Sequence, residues 1–240
     1  MDSVKKLIAL FFALLLAGCA QVGPLPAPDN YVAPGLTGLP PQSRVVILPI
    51  VGPEHEFAKG ELMALGQLRT QLQAAGYRIA ALDKANYELI WRQEVEAVGG
   101  IYDAATGAQR PGQHAQAMSS LARRVCQEAN CALLLRYQLV VRRAELDGKT
   151  ADWDGQRRPI LISGAAGQEY RSSGTTDAVS LELLAMSADG SVAFKSYAGA
   201  SLPYRNNAFK EKLELRDDLF QNDAEIADAV RLALAPVVRR

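Results

Sequence analysis

Few residues in this 240-residue chain have the chemistry for catalysis or metal binding, and their spacing limits what they can do. The only histidines are His55 and His114. His55 stands between Glu54 and Glu56 in PEHEF, a set that would have to converge on one point to hold a metal. Alternate residues of such a loop point apart and no second histidine is in register, so PEHEF reads as a solvated loop after a strand. A hydrolase needs a nucleophile, a base and an orienting acid. No G-x-S-x-G turn occurs, and Ser163-Gly164 and Ser172-Ser173-Gly174 read as loop composition. GGIYDAATG has glycines but neither G-x-G-x-x-G nor Walker spacing, and no lysine follows it, which argues against a phosphate cradle. Asp152, Asp154 and Asp177 are acids by type, and single carboxylates in a Gly-rich stretch read as solvated charges. No metal or cofactor is expected.

The three cysteines fall in two contexts. Cys126 and Cys131, in RRVCQEANCALLL, are too far apart for a redox pair and lack a second pair or a nearby histidine for zinc. They read as a structural disulfide from a helix end to the next strand, with buried free thiols as the alternative. Cys19 closes the longest apolar run, LIALFFALLLAG, which follows Lys5 and Lys6 and is far shorter than the ~20 residues of a spanning helix. Residues 1–18 therefore read as a secretory signal. LAGC resembles the lipobox of bacterial lipoproteins, which implies cleavage before Cys19 and acylation of that residue. Two or more acyl chains hold a protein at a bilayer at ~0.8 kcal/mol per buried methylene. Ala20 occupies the position where an Asp resembles an inner-membrane retention signal, so the expected address is the periplasmic face of the outer membrane. Residues 19–43, rich in Pro and Gly and nearly uncharged, read as a semi-extended tether that buries no core.

Without residues 1–18, 24 basic and 25 acidic residues remain, and no basic excess supports nucleic-acid binding. Of two basic pairs, Arg142-Arg143 precedes a polar stretch at about 147–177 and Arg157-Arg158 lies within it. They are candidate contacts for an anionic glycan, a lipid headgroup or an acidic partner. The alternative is edge charge that guards a sheet against pairing.

The elements that must position these residues follow from periodicity. RVVILPIV, residues 44–51, is apolar on both parities, the pattern of a central strand covered on both faces. Leu62, Leu65, Leu68 and Leu72 then recur at helical spacing, with Gly76 as the stop. YRIAAL is a second strand, and Asp83 caps a helix with Tyr87, Ile90, Trp91 and Val95 on one stripe. Residues 98–113 are turns, and a third helix from about His114 to Ala129 turns Ala117, Leu121, Ala122 and Val125 inward. CALLLRYQLVVRRAEL begins a long strand, making the order β-α-β-α-α-β. The 147–177 stretch holds one short strand, RRPILISG, and is either a surface insertion or a partner-binding loop. Asp189-Gly190 between two alternating runs predicts a hairpin with a two-residue turn. Asn222 caps a last helix carrying Ile226, Ala229, Val230, Ala233, Leu234 and Val237 on one face, with Pro236 at its end. The expected fold is α/β (α+β): residues 44–240 as one domain, its mixed sheet packed by amphipathic helices in two or three layers.

A lipobox, a Pro-rich tether, RVVILPI, GYRIAALDKANYELIWRQ, a helix ending near CALLLRYQL and a late Asp-Gly hairpin occur here in one order. The arrangement resembles the envelope lipoproteins of anticodon-binding-domain-like α/β fold. That superfamily includes the amino-terminal domain of TolB, the curli-export channel lipoprotein, the Pel polysaccharide-export lipoprotein and the activator of penicillin-binding proteins. The resemblance implies binding and assembly rather than catalysis, with no small-molecule substrate, and carries over no residue but Cys19. It implies a partner in the envelope: another protein, for a scaffold or regulator, or further copies of the chain, for a ring-forming export component.

Overall fold

A computed structural model describes residues 24–51, 56–163, 172–207 and 212–238. Cys19, the apolar run before it and His55 lie outside the described residues. Four helices, α1 (Ala58–Ala74), α2 (Lys84–Ala97), α3 (Pro111–Ala129) and α4 (Asp223–Ala233), pack on a mixed sheet. Its strands are β1 (Tyr31–Val32), β2 (Arg44–Ile47), β3 (Arg78–Ala81), β4 (Leu133–Asp147), β8 (Ser173–Ser187) and β9 (Val192–Ser201), in the order β1-β9-β8-β4-β2-β3. The short strands β5 (Thr150–Trp153) and β6 (Gln156–Pro159) branch from β4. A second, three-stranded sheet joins β7 (Ile162–Ser163), β10 (Tyr204–Asn207) and β11 (Lys212–Leu215). The helical crossovers make β3, β2 and β4 parallel, and the hairpins make β4, β8 and β9 antiparallel. The fold is the expected single α/β domain with a mixed sheet.

Apolar residues on both parities of β2 meet helices on both faces. Val45 and Ile47 join Leu68, Leu72, Ile226, Val230 and Leu234 in the core under α1 and α4. Val46 and Leu48 join Ile90, Met118, Leu121 and Val125 under α2 and α3. Three layers result, and each such buried side chain contributes roughly 1.5–3 kcal/mol over exposure. The caps sit where the side chains predict them: Asp83 accepts from Asn86 N, and Asn222 from Ala224 N. Helix α3 starts three residues before the expected His114, because Pro111 is suited to the first helical turn. In α1 the inward row is Gly60, Ala64, Leu68 and Leu72, and Leu62 is 70% exposed. Glycine fixes that rotation, since a Cβ at position 60 would lie 2.6 Å from Leu139 Cδ1.

Three segments differ from the sequence expectation. The described residues of the 147–177 stretch are largely sheet: β4 runs to Asp147, β8 starts at Ser173, and Asp154 (φ 40°) with Gly155 (φ 77°) turns β5 into β6. Asp-Gly is a hairpin signal here as well, hidden by the polar composition around it. Trp153 anchors that hairpin, donating from Nε1 to Val179 O at 3.3 Å above Gly199, where a Cβ would meet the indole at 2.8 Å. The late hairpin β8–β9 forms, but Gly190 N donates to Ser187 O and Ser187 N to Ser191 O, giving a three-residue loop with Gly190 left-handed. The tether is docked from Leu25 onward. Leu25 O accepts from Gly155 N, Asn30 Oδ1 from Tyr197 N, and Tyr31–Val32 pairs with β9. Its Pro/Gly composition hides the Asp29-Asn30 pair, which makes those specific bonds.

Candidate interaction surface

The two basic pairs do not form one patch. Neighbouring residues of a strand point to opposite faces, so each pair divides. Arg142 donates to Asp154 Oδ2 at 3.0 Å and to both carboxylate oxygens of Asp29, with its guanidinium 4.3 Å from the Tyr197 ring centroid. Its hydrogen bonds to those carboxylates, to Asp154 above all, hold it protonated well beyond the usual arginine range. Arg143 pairs with Asp177 at 2.5 Å and donates to Thr175 Oγ1. Arg157 forms a bidentate pair with Asp152, and Arg158 turns inward to Ala200 O and Glu225 O. The three carboxylates that the sequence singles out, Asp152, Asp154 and Asp177, are thus the partners of three of the four arginines. Charge at these positions is already balanced within the chain.

The surface left open lies on the small sheet, which the sequence analysis did not foresee. Asn206 pairs with Ile162 on one side and Leu213 on the other, and Leu215 lies two residues beyond Leu213 on the same face. Ile162, Leu213 and Leu215 are 40%, 43% and 60% exposed. Leu213 and Leu215 alternate with Lys212 and Glu214, the period-2 signal of a strand, but the run is only four residues long. Arg216 fixes the sheet to the body. It is buried, donates to Ser201 Oγ and Leu202 O at 3.1 Å, and pairs with Asp218, which holds its charge firmly. Arg216, Arg158, Leu161 and Glu225 line a cleft of about 220 Å³ beside the start of α4.

The remaining candidates have structural settings. Cys126 and Cys131 form a disulfide that closes the turn from α3 to β4. His114 packs edge-on against Trp91 with centroids 5.7 Å apart, and burial, with the Arg136 charge, pushes it below the usual imidazole range. In GGIYDAATG, Asp103 Oδ1 accepts from Ala105 N, Thr106 N and Thr106 Oγ1, closing the loop on itself. Among the described residues no group of three or more His, Cys, Asp or Glu could hold a metal, and no helix is long and apolar enough to cross a membrane.

No family model matches the chain, and no curated protein matches its sequence. Among solved structures, a point variant of the PelC dodecamer from Paraburkholderia phytofirmans is 12% identical, covering 88% of this chain and 97% of that one at a TM-score of 0.39. Another crystal form of the PelC dodecamer from that organism is 13% identical at a TM-score of 0.36, with the same coverage. A likeness of that size carries no weight for function.

Proposed function

We propose that the protein is a non-enzymatic lipoprotein, anchored through Cys19 at the periplasmic face of the outer membrane, that docks another envelope protein through the small sheet. The observation that carries the docking face is the set of Ile162, Leu213 and Leu215, apolar side chains presented together to solvent on a sheet that Arg216 holds rigidly. Apolar groups gathered on one face mark protein contact surfaces. The lipid confines the domain to two dimensions and raises its effective concentration near the partner. Ring-forming self-assembly, as in an export accessory, is favoured by a different observation. Strand β11 ends the order of the small sheet, and among the described residues nothing pairs with its outer edge.

A photo-reactive residue at Leu215 in intact cells separates the two. One recurrent foreign envelope protein among the adducts supports docking, and adducts with the chain itself support the ring. Labelling no stronger than from exposed Leu62 on α1 would remove the small sheet as the site. Cys19→Ser should move the protein from the outer-membrane to the soluble periplasmic fraction, and continued sedimentation with the membrane would refute the anchor.

A further inference from the structure

We propose that the cleft at the N-terminal ends of β2 and β3 binds a phosphate group between Arg44 and Arg78. These residues are in register on adjacent parallel strands, so their side chains leave the same face about 5 Å apart at the backbone. Both line an open cavity of about 320 Å³, together with Ser43, Asn130 and Cys131. Like charges at directly paired positions repel, and here neither is offset by a carboxylate among the described residues. Each guanidinium is instead anchored by a neutral acceptor. Arg44 Nη1 donates to Ala129 O at the end of α3, and Arg78 Nε donates to Gln42 Oε1 at 3.0 Å.

The anchors aim the two forks without neutralising them. The carbonyl end of a helix carries about −0.5 charge, against two full positive charges, so about +1.5 remains in the cleft. A phosphate monoester carries about −1.5 to −2 near neutral pH and presents three acceptor oxygens, which two guanidinium forks meet in bidentate fashion. A single carboxylate would leave a positive charge unmatched. The frame around the forks is fixed. Ser43 Oγ donates to Pro40 O at 2.7 Å, Gln42 and Asn130 both take left-handed backbone angles, and the Cys126–Cys131 disulfide ties Asn130 to α3. Two mechanically separate elements, the β2 entry and the α3 exit, therefore meet at one positively charged point.

The phosphate could belong to a soluble ester or to a lipid headgroup. The full chain carrying Cys19→Ser, which removes the proposed acyl anchor, is titrated calorimetrically with inorganic phosphate and with glycerol 3-phosphate at constant ionic strength. Its retention on phosphatidylglycerol and phosphatidylcholine vesicles is measured alongside. Saturable heat with the soluble probes and no preference between vesicles identifies a soluble ester. Selective retention on phosphatidylglycerol identifies a headgroup. Arg44→Gln or Arg78→Gln should weaken either by at least about tenfold, since each removes charge-assisted hydrogen bonds to the phosphate. Arg44→Lys and Arg78→Lys keep the charge but lose the fork and should weaken binding severalfold, while Arg123→Gln on the outside of α3 should change nothing. Should a Gln variant lose its cooperative unfolding transition, the Lys variants decide. No saturable binding to any of the four probes, or affinity unchanged in folded Gln or Lys variants, overturns the proposal.

Discussion

Arg142 bridges Asp29 and Asp154, and Asp154 keeps only 6% of its side chain exposed while also accepting from Ser180 Oγ at 2.7 Å. Arg142→Ala would strand that carboxylate. The expected loss is about 3 kcal/mol or more in urea unfolding, against a far smaller one for Arg143→Ala or Arg157→Ala, whose ion pairs are exposed. Equal losses at the three positions would contradict this division. His114 makes a second residue-scale prediction. Its folded pKa lies below the ordinary 6.5, so the unfolded chain takes up the proton first. Stability is complete above about pH 6.5 and falls as pH drops toward the folded value. The urea midpoint should decrease between pH 7.5 and 5.5, and His114→Gln should flatten that decrease. An identical decrease in the variant would assign the slope to other groups.

At the scale of elements, the turn from α3 into β4 is constrained three times over. Asn130 is left-handed, Cys131 N donates to Cys126 O, and the disulfide spans the same residues. Replacing both cysteines by alanine should cost about 2 kcal/mol for so short a loop, read from urea unfolding without reductant. No loss would mean that the turn is held by its backbone alone. This connection was legible in the sequence, as were β2 with its two apolar parities, the capped helices α2 and α4, and the hairpin after β8. In each, a local signal and the burial pattern point the same way. In α1 the expected stripe holds at Leu65, Leu68 and Leu72 but not at Leu62, because the first turn is set by Gly60, which has no side chain to register in a periodicity. Hairpin β5–β6 and the small sheet were hidden because their strands are two to four residues long, and β5, β6 and β11 each spend one or two of those residues on charged side chains. Trp153, which anchors the hairpin, and Arg216, which fixes the small sheet, are single residues whose place only tertiary packing assigns. The cleft between Arg44 and Arg78 brings residues 34 apart into register through a helical crossover, a pairing that no local pattern announces.

For the molecule as a whole, docking of the segment from Leu25 changes what an anchor at Cys19 does. A free tether through residue 42 would reach roughly 80 Å from the lipid, whereas residues 20–24 alone span at most about 18 Å. With the proposed anchor, the domain would be held against the membrane surface, and its partner would have to be membrane-bound or approach that surface closely. Arg158 and Arg216 join the first sheet, the small sheet and α4, so the docking face moves with the body rather than as a separate arm. The most direct measurement places the photo-reactive residue at Arg157, on the strand that leads into β7, and compares adducts in intact cells with and without Leu213→Glu and Leu215→Glu. A foreign envelope protein captured from Arg157 and lost on the double substitution, with the unfolding midpoint unchanged, is the expected result. The same adduct at undiminished yield in the folded double variant would contradict docking through the small sheet.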